Sequence, residues 1–128
     1  MHDLTLHPFV IRLIETQNYP YLGSEEDGLP LDDRLLFLPA HGKGHVETPD
    51  IAVVLPELVR ALGQSLKGAV AGPQLERRLR EQLGGIAVPA IVVLRGGEAV
   101  GSVSRMRDWD EYLERLSGLL AAPAPARH

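Results

Sequence analysis

The chain has 128 residues, 45% of them hydrophobic and 23% charged, which is enough for one globular domain with its own core. Its formal net charge of −4 argues against the basic surface that nucleic-acid-binding proteins use. The sequence has no cysteine, which excludes disulfides, thiolate metal sites, iron–sulfur clusters and thiol redox chemistry. No apolar run approaches the ~20 residues that cross a bilayer, and the N-terminus lacks the basic start of a signal peptide. We therefore expect a cytoplasmic protein without membrane insertion.

The N-terminal part of the chain predicts a helix followed by two strands. Pro8 can open the helix at its first position, because its missing N–H has no partner inside a helix there. Residues 21–33 are expected to form a short strand followed by a loop or a weak helical turn. The apolar run over residues 34–38 is typical of a strand that is buried on both faces.

A glycine-rich loop over residues 40–47 leads into the next predicted helix. Thr48, Pro49 and Asp50 indicate the helix start, with the threonine hydroxyl as N-cap and the acid in the first turn. Pro56 lies inside the helical pattern and should kink or split the helix, because proline removes one of its hydrogen bonds.

The C-terminal half continues with a strand over residues 65–71 and a helix that opens at Pro73. A β-branched strand then runs into Gly96 and Gly97, a two-residue hairpin signal, and the chain returns over residues 99–103. Asp108 and Glu111 have the spacing of a capping box for a last helix. The order α-β-β-α-β-α-β-β-α predicts an α/β fold, a mixed central sheet with helices on both faces.

Residues 85–98 read GIAVPAIVVLRGGE, and with this element order the chain resembles the thioredoxin fold over about residues 34–120. The resemblance implies a cis bond between Val88 and Pro89, before the C-terminal hairpin. Residues 39–48 read PAHGKGHVET where thioredoxins carry Cys-x-x-Cys, so disulfide exchange is chemically impossible. We expect one thioredoxin-like domain over residues 1–120 and a disordered Ala/Pro-rich tail over residues 121–128.

Among thioredoxin-like proteins without cysteine, the chain is similar to the HyaE/HupG/HoxO family of nickel–iron hydrogenase accessory proteins. Four short motifs carry this resemblance: Thr48-Pro49-Asp50, Val88-Pro89-Ala90, Arg95-Gly96-Gly97 and Asp108-Trp109. The family implies a non-catalytic cytoplasmic chaperone for hydrogenase maturation, with no cofactor. Its partner would be the hydrogenase small-subunit precursor with its twin-arginine signal peptide, alongside other hydrogenase accessory proteins.

Two features are candidates for binding such a peptide. In thioredoxin-like folds an extended substrate can pair with the residue before the cis-proline, which points to Val88 and Pro89. Acidic side chains in the first third could receive paired guanidinium groups in bidentate geometry. These acids are Glu25, Glu26, Asp27, Asp32 and Asp33. The alternatives are that Pro89 only shapes the start of the strand and that the acids are simply solvated.

The loop at the lost Cys-x-x-Cys position comprises His41, Gly42, Lys43, Gly44 and His45. Two histidines near Glu47 would suit a small histidine-based metal-binding protein, but a metal site needs about three or four converging ligands. A solvated loop is favoured, and we predict neither a metal site nor catalysis, since no nucleophile–base pair is present. A structural or oligomerisation module of a maturation complex is the other alternative.

Overall fold

A five-stranded mixed sheet organises the residues that the computed structural model describes, which are 7–23, 29–41 and 46–121. The elements in chain order are α1 (Pro8–Glu15), β1 (Tyr21–Leu22), β2 (Arg34–Leu38), α2 (Thr48–Leu62), β3 (Lys67–Ala71), α3 (Pro73–Gln82), β4 (Ala90–Arg95), β5 (Glu98–Ser104) and α4 (Trp109–Ala121). The strand order is β1-β3-β2-β4-β5. Strands β1, β3 and β2 are parallel, whereas β4 and β5 pair antiparallel.

Both faces of the sheet are covered, as the pattern of β2 predicts. Leu35 and Phe37 point into a core formed with α1, α2 and α4, and Leu36 and Leu38 point into a second core against α3. All four side chains are fully buried. Successive side chains of a strand point to opposite faces, so an unbroken apolar strand needs helices packed on both faces of the sheet.

The start of α2 differs from the prediction. Glu47 occupies the N-cap position, and Thr48 is the first residue of the helix. The Thr48 hydroxyl donates to the Pro39 carbonyl at 3.0 Å, so it binds the preceding strand end instead of capping the helix. Of the two expected effects of Pro56, a kink or a split, the split does not occur, because α2 runs unbroken through it. Pro56 is itself buried, and packing of this helix face offsets the lost hydrogen bond.

The C-terminal hairpin forms where the sequence predicts it. The Val88–Pro89 bond is cis, and Gly96 and Gly97 both have positive φ, as a two-residue hairpin turn requires. Helix α4 begins directly after Asp108 and continues through Ala121, the first residue of the predicted tail. Residues 122–128 lie outside the described residues.

The register brings three chain segments to one end of the sheet. Leu38, the last residue of β2, pairs with Ala90, the first residue of β4. Ala90 also pairs with Ser104, the last residue of β5. The chain leaving β2, the cis-proline before β4 and the chain leaving β5 therefore meet at this end, and they form the framework of the candidate site.

Candidate functional site

A buried carboxylate fixes the chain where it leaves β2. Glu76 of α3 is only 4% exposed, and its two oxygens accept hydrogen bonds from the backbone N–H groups of Ala40 at 2.9 Å and His41 at 2.8 Å. Ala40 has a φ of 69°, a left-handed conformation that an alanine rarely adopts. The paired bonds hold this turn, so the backbone is fixed where the loop that replaces the Cys-x-x-Cys motif begins.

The His41 side chain is also held by the neighbouring strand. Its Nε2 lies 2.7 Å from the carbonyl oxygen of Ala71, the last residue of β3. Because a carbonyl can only accept, Nε2 carries the proton in this contact. The other ring nitrogen, Nδ1, is buried and has no hydrogen-bond partner among the described residues. Gly42, Lys43, Gly44 and His45 lie outside the described residues, so the predicted His41–His45 pair is not seen together.

A second carboxylate joins the start of α2 to the end of β5. Glu47 accepts from Arg105 through both of its oxygens, at 2.9 Å from Nε and 3.3 Å from the second guanidinium nitrogen, and from the Met106 backbone N–H at 2.8 Å. The Tyr112 hydroxyl donates to the Arg105 carbonyl at 2.8 Å. Burial, partly opposed by the nearby Arg107, raises the pKa of Tyr112 to about 12, so this hydroxyl stays a donor at neutral pH. These bonds hold Arg105 at a positive φ of 69°.

The backbone beside the cis-proline is open on one side. Arg105 N–H donates to the Pro89 carbonyl at 2.7 Å, which continues the pairing of β4 with β5. Val88 is half-buried, and within the described part of the chain neither its N–H nor its carbonyl makes a hydrogen bond. Val88 precedes β4, a central strand, so its unpaired backbone groups lie beyond the end of the sheet. Because unpaired backbone groups in an extended segment can pair with a further peptide, we name the peptide groups of Val88 the open edge.

The structure separates the predicted acids from the open edge. Asp32 and Asp33 precede β2, whereas Val88 lies beyond its other end, about 17 Å away along a five-residue strand. Both acids also have basic partners. The Arg34 guanidinium donates to the two carboxylate oxygens of Asp32 at 2.8 and 3.2 Å, and Arg95 Nε lies 3.6 Å from Asp33 Oδ1. Residues 25–27, which hold Glu25, Glu26 and Asp27, lie outside the described residues.

The sequence carried a signal for Glu76 that the prediction did not use. Glu76 stands between Leu75 and Leu79 on the apolar face of α3, where a charged side chain is expensive to bury unless it is hydrogen-bonded. The contact between Glu47 and Arg105 joins residues 58 positions apart, and no local pattern marks it.

Within residues 7–23, 29–41 and 46–121, no group of three or more metal-ligating side chains lies close enough together to hold a metal ion, although His45 lies outside these ranges. None of the described helices is long and apolar enough to cross a membrane.

Comparison with known proteins adds sequence relatives and a structural neighbour. Residues 29–112 match the family model described as hydrogenase-1 expression protein HyaE. The chain is 38% identical over 120 residues to the hydrogenase expression/formation protein HupG of Rhodobacter capsulatus, covering 91% of this chain and 87% of that protein. It is 39% identical over 121 residues to HoxO, a hydrogenase expression/formation protein of Azotobacter vinelandii, covering 91% and 80%. Mitochondrial thioredoxin 3 of Saccharomyces cerevisiae superposes with a TM-score of 0.58 at 14% identity, covering 80% of this chain and 95% of that one, which shows the thioredoxin-like fold.

Proposed function

The chain belongs to the HyaE family of hydrogenase expression proteins, and we propose that it serves hydrogenase maturation as a non-catalytic cytoplasmic chaperone. Its client would be the small-subunit precursor of a nickel–iron hydrogenase, bound together with its twin-arginine signal peptide before export. Other accessory proteins of the same maturation process are further candidate partners.

The observation that carries this proposal is the open edge at Val88. An extended peptide laid beside it would exchange strand-like hydrogen bonds with the Val88 N–H and carbonyl, a mode that recognises backbone and tolerates varied sequences. A chaperone that binds an unfolded segment needs this kind of contact, because an extended client offers its own backbone groups unpaired.

The chemistry of the site supports binding without catalysis. The sequence has no cysteine, so the scaffold has no thiol to exchange. The backbone that would present a reactive pair is instead held by Glu76 at Ala40 and His41. A fixed backbone is suited to presenting a surface, since the cost of ordering it has been met during folding.

The position of the acids changes how the peptide would be gripped. Asp32 and Asp33 have basic partners within the chain and lie at the opposite end of β2 from Val88, so they are poorly placed to bind arginines of the same peptide. The other predicted acids, Glu25, Glu26 and Asp27, stay one candidate set of receptors for basic residues of the client.

The test is titration calorimetry of the purified protein with the small-subunit precursor, the precursor without its signal peptide, and the signal peptide alone. We expect a 1:1 complex that weakens when the signal is removed. Equal affinity for the two precursors would rule out signal recognition. Stable self-association without any peptide affinity would favour the structural-module alternative.

A second experiment tests the open edge from the ligand side, where no variant can misfold. Single backbone N-methyl groups are placed at successive positions of the signal peptide, each removing one N–H donor. We expect a methyl group at the one position whose N–H donates to the Val88 carbonyl to abolish binding and those at the two neighbouring positions to be tolerated, because the N–H groups of successive strand residues face opposite edges. Equal tolerance at every position would contradict pairing with Val88.

A further inference from the structure

We propose that three exposed apolar side chains beside the open edge receive the apolar stretch of the client peptide, while the exposed aspartates at the starts of α2 and α4 receive its basic residues. The apolar side chains are Val46, Met106 and Trp109, which we name the end patch. This inference rests on the proposed function and specifies the surface that performs it.

The end patch is unusual in its exposure. Val46 is 85% exposed, Trp109 40% and Met106 37%. Among the described residues only five large hydrophobic side chains are this exposed, and these three sit on segments that meet at one end of the sheet. Scattered apolar residues on a surface need no explanation, whereas a group of them marks an interaction site.

Hydrogen bonds join the three segments that carry the end patch. Glu47 follows Val46, and its carboxylate accepts the Met106 backbone N–H at 2.8 Å. The Tyr112 hydroxyl lies 3.9 Å from the Met106 sulfur, and Trp109 stands one helical turn before Tyr112. The three apolar side chains are therefore presented by a framework that is already fixed.

The end patch continues from the open edge. The Arg105 N–H donates to the Pro89 carbonyl at 2.7 Å. Met106 is the next residue after Arg105, so its segment lies beside the segment that contains Val88 and Pro89. In this proposal, a peptide that pairs with Val88 runs past the segment that carries Met106. Methionine is unbranched and adaptable, so it suits apolar segments that differ in sequence.

Acids outnumber cations around the end patch, where the cations are Arg105 and Arg107, so the patch complements a basic peptide. Asp50 lies in the first turn of α2, while Asp108 and Asp110 lie at the start of α4, and all three are exposed. Within the described residues none of them forms an ion pair. Arg105, by contrast, forms an ion pair with Glu47, so its positive charge is offset and repels a basic client less. These free carboxylates match paired guanidinium groups in a way that Asp32 does not.

The apolar arm of the test compares the variants Trp109→Ser and Met106→Ser with the matched control Val53→Ser. Val53 is 60% exposed but lies on the α1–α2 side of the molecule. We expect the signal peptide to bind each patch variant about tenfold or more weakly, and the control as tightly as the unchanged protein. Circular dichroism and the melting temperature confirm that each variant is folded.

The charge arm compares Asp108→Asn/Asp110→Asn with Asp32→Asn/Asp33→Asn, using a peptide with its arginine pair and one with glutamines instead. The first double variant should weaken binding of the arginine peptide alone and reduce its salt dependence. The second should change neither. If Asp32→Asn/Asp33→Asn has the larger effect, the arginines bind at the opposite end and the proposal is wrong.

The outcomes separate this inference from the proposed function. If the unchanged protein binds no signal peptide, the proposed function fails and the end patch fails with it. If it binds and the patch variants bind equally well, only the end patch is refuted. Loss of self-association in light scattering without a change in peptide affinity would assign the patch to a second copy of this chain, which also overturns the proposal.

Discussion

The buried carboxylate of Glu76 offers the sharpest test of how the site is held together. Glu76 is 4% exposed, and Glu76→Ala leaves the N–H groups of buried Ala40 and half-buried His41 without their acceptors. Each orphaned buried donor costs about 1–3 kcal/mol, so the free energy of unfolding should fall by about 2–6 kcal/mol. That is a large part of the ~5–15 kcal/mol that stabilises a typical domain.

Glu76→Gln separates the hydrogen bonds from the volume of the side chain. Glutamine keeps one acceptor oxygen but turns an NH₂ group toward one of the two backbone donors, so about half of the alanine effect is expected, roughly 1–3 kcal/mol. The matched control is Glu81→Gln, an exposed carboxylate on the same helix, which should change stability by less than about 0.5 kcal/mol.

Urea unfolding at pH 7 measures both variants, and amide hydrogen exchange locates the effect. We expect faster exchange at Ala40 and His41 before exchange rises in the rest of the sheet, because their opening no longer breaks a bond to Glu76. If Glu76→Gln and Glu81→Gln unfold at the same urea concentration, the carboxylate does not hold this turn and the account of the immobilised loop is wrong.

Three further outcomes follow from contacts elsewhere in the fold. Glu47→Gln should cost about 1 kcal/mol in urea unfolding, and the loss should disappear when Arg105 is already replaced by Gln; additive losses would refute the pairing. Gly68→Ala should destabilise by about 1–3 kcal/mol, because its new Cβ would clash with the Tyr19 ring, and unchanged stability would contradict that close approach. The pKa of Tyr112, raised in the folded state, gives stability that is present below pH 10 and lost as pH rises toward about 12. Tyr112→Phe should flatten this alkaline fall in melting temperature, and an unchanged slope would contradict it.

Local signals in the sequence were sufficient for most of the fold. Three of these signals act within a few residues: the unbroken apolar run of β2, the pair Gly96–Gly97 and the acid before Trp109. The strand, the hairpin and the helix that they predict all form at those residues. The start of α2 was misjudged because Thr48 has a distant partner, Pro39, that outcompetes capping. A helix-start pattern records propensity, and a tertiary hydrogen bond can redirect the same hydroxyl.

The site was harder to predict because its contacts are distant in sequence. Glu76 reaches Ala40 across 36 positions, and Glu47 reaches Arg105 across 58. The candidate acids were grouped by their closeness in sequence, yet Asp32 lies at the far end of β2 and has its own arginine. The sequence shows how many acids the chain has, but only the register of the sheet decides which of these acids lie at the same end of the sheet as Val88.

The bonds at this end of the sheet also explain how a small surface could bind a client. Glu76 and Glu47 accept hydrogen bonds from backbone N–H groups of other segments, whereas the hydroxyls of Thr48 and Tyr112 donate to backbone carbonyls. All four contacts lie around the open edge. A protein whose binding surface becomes ordered only on binding loses affinity, because ordering that surface costs entropy. A surface that is already fixed in the folded protein avoids this loss. Loosening the framework at Glu76 should therefore weaken peptide binding although Glu76 is too buried to touch a peptide.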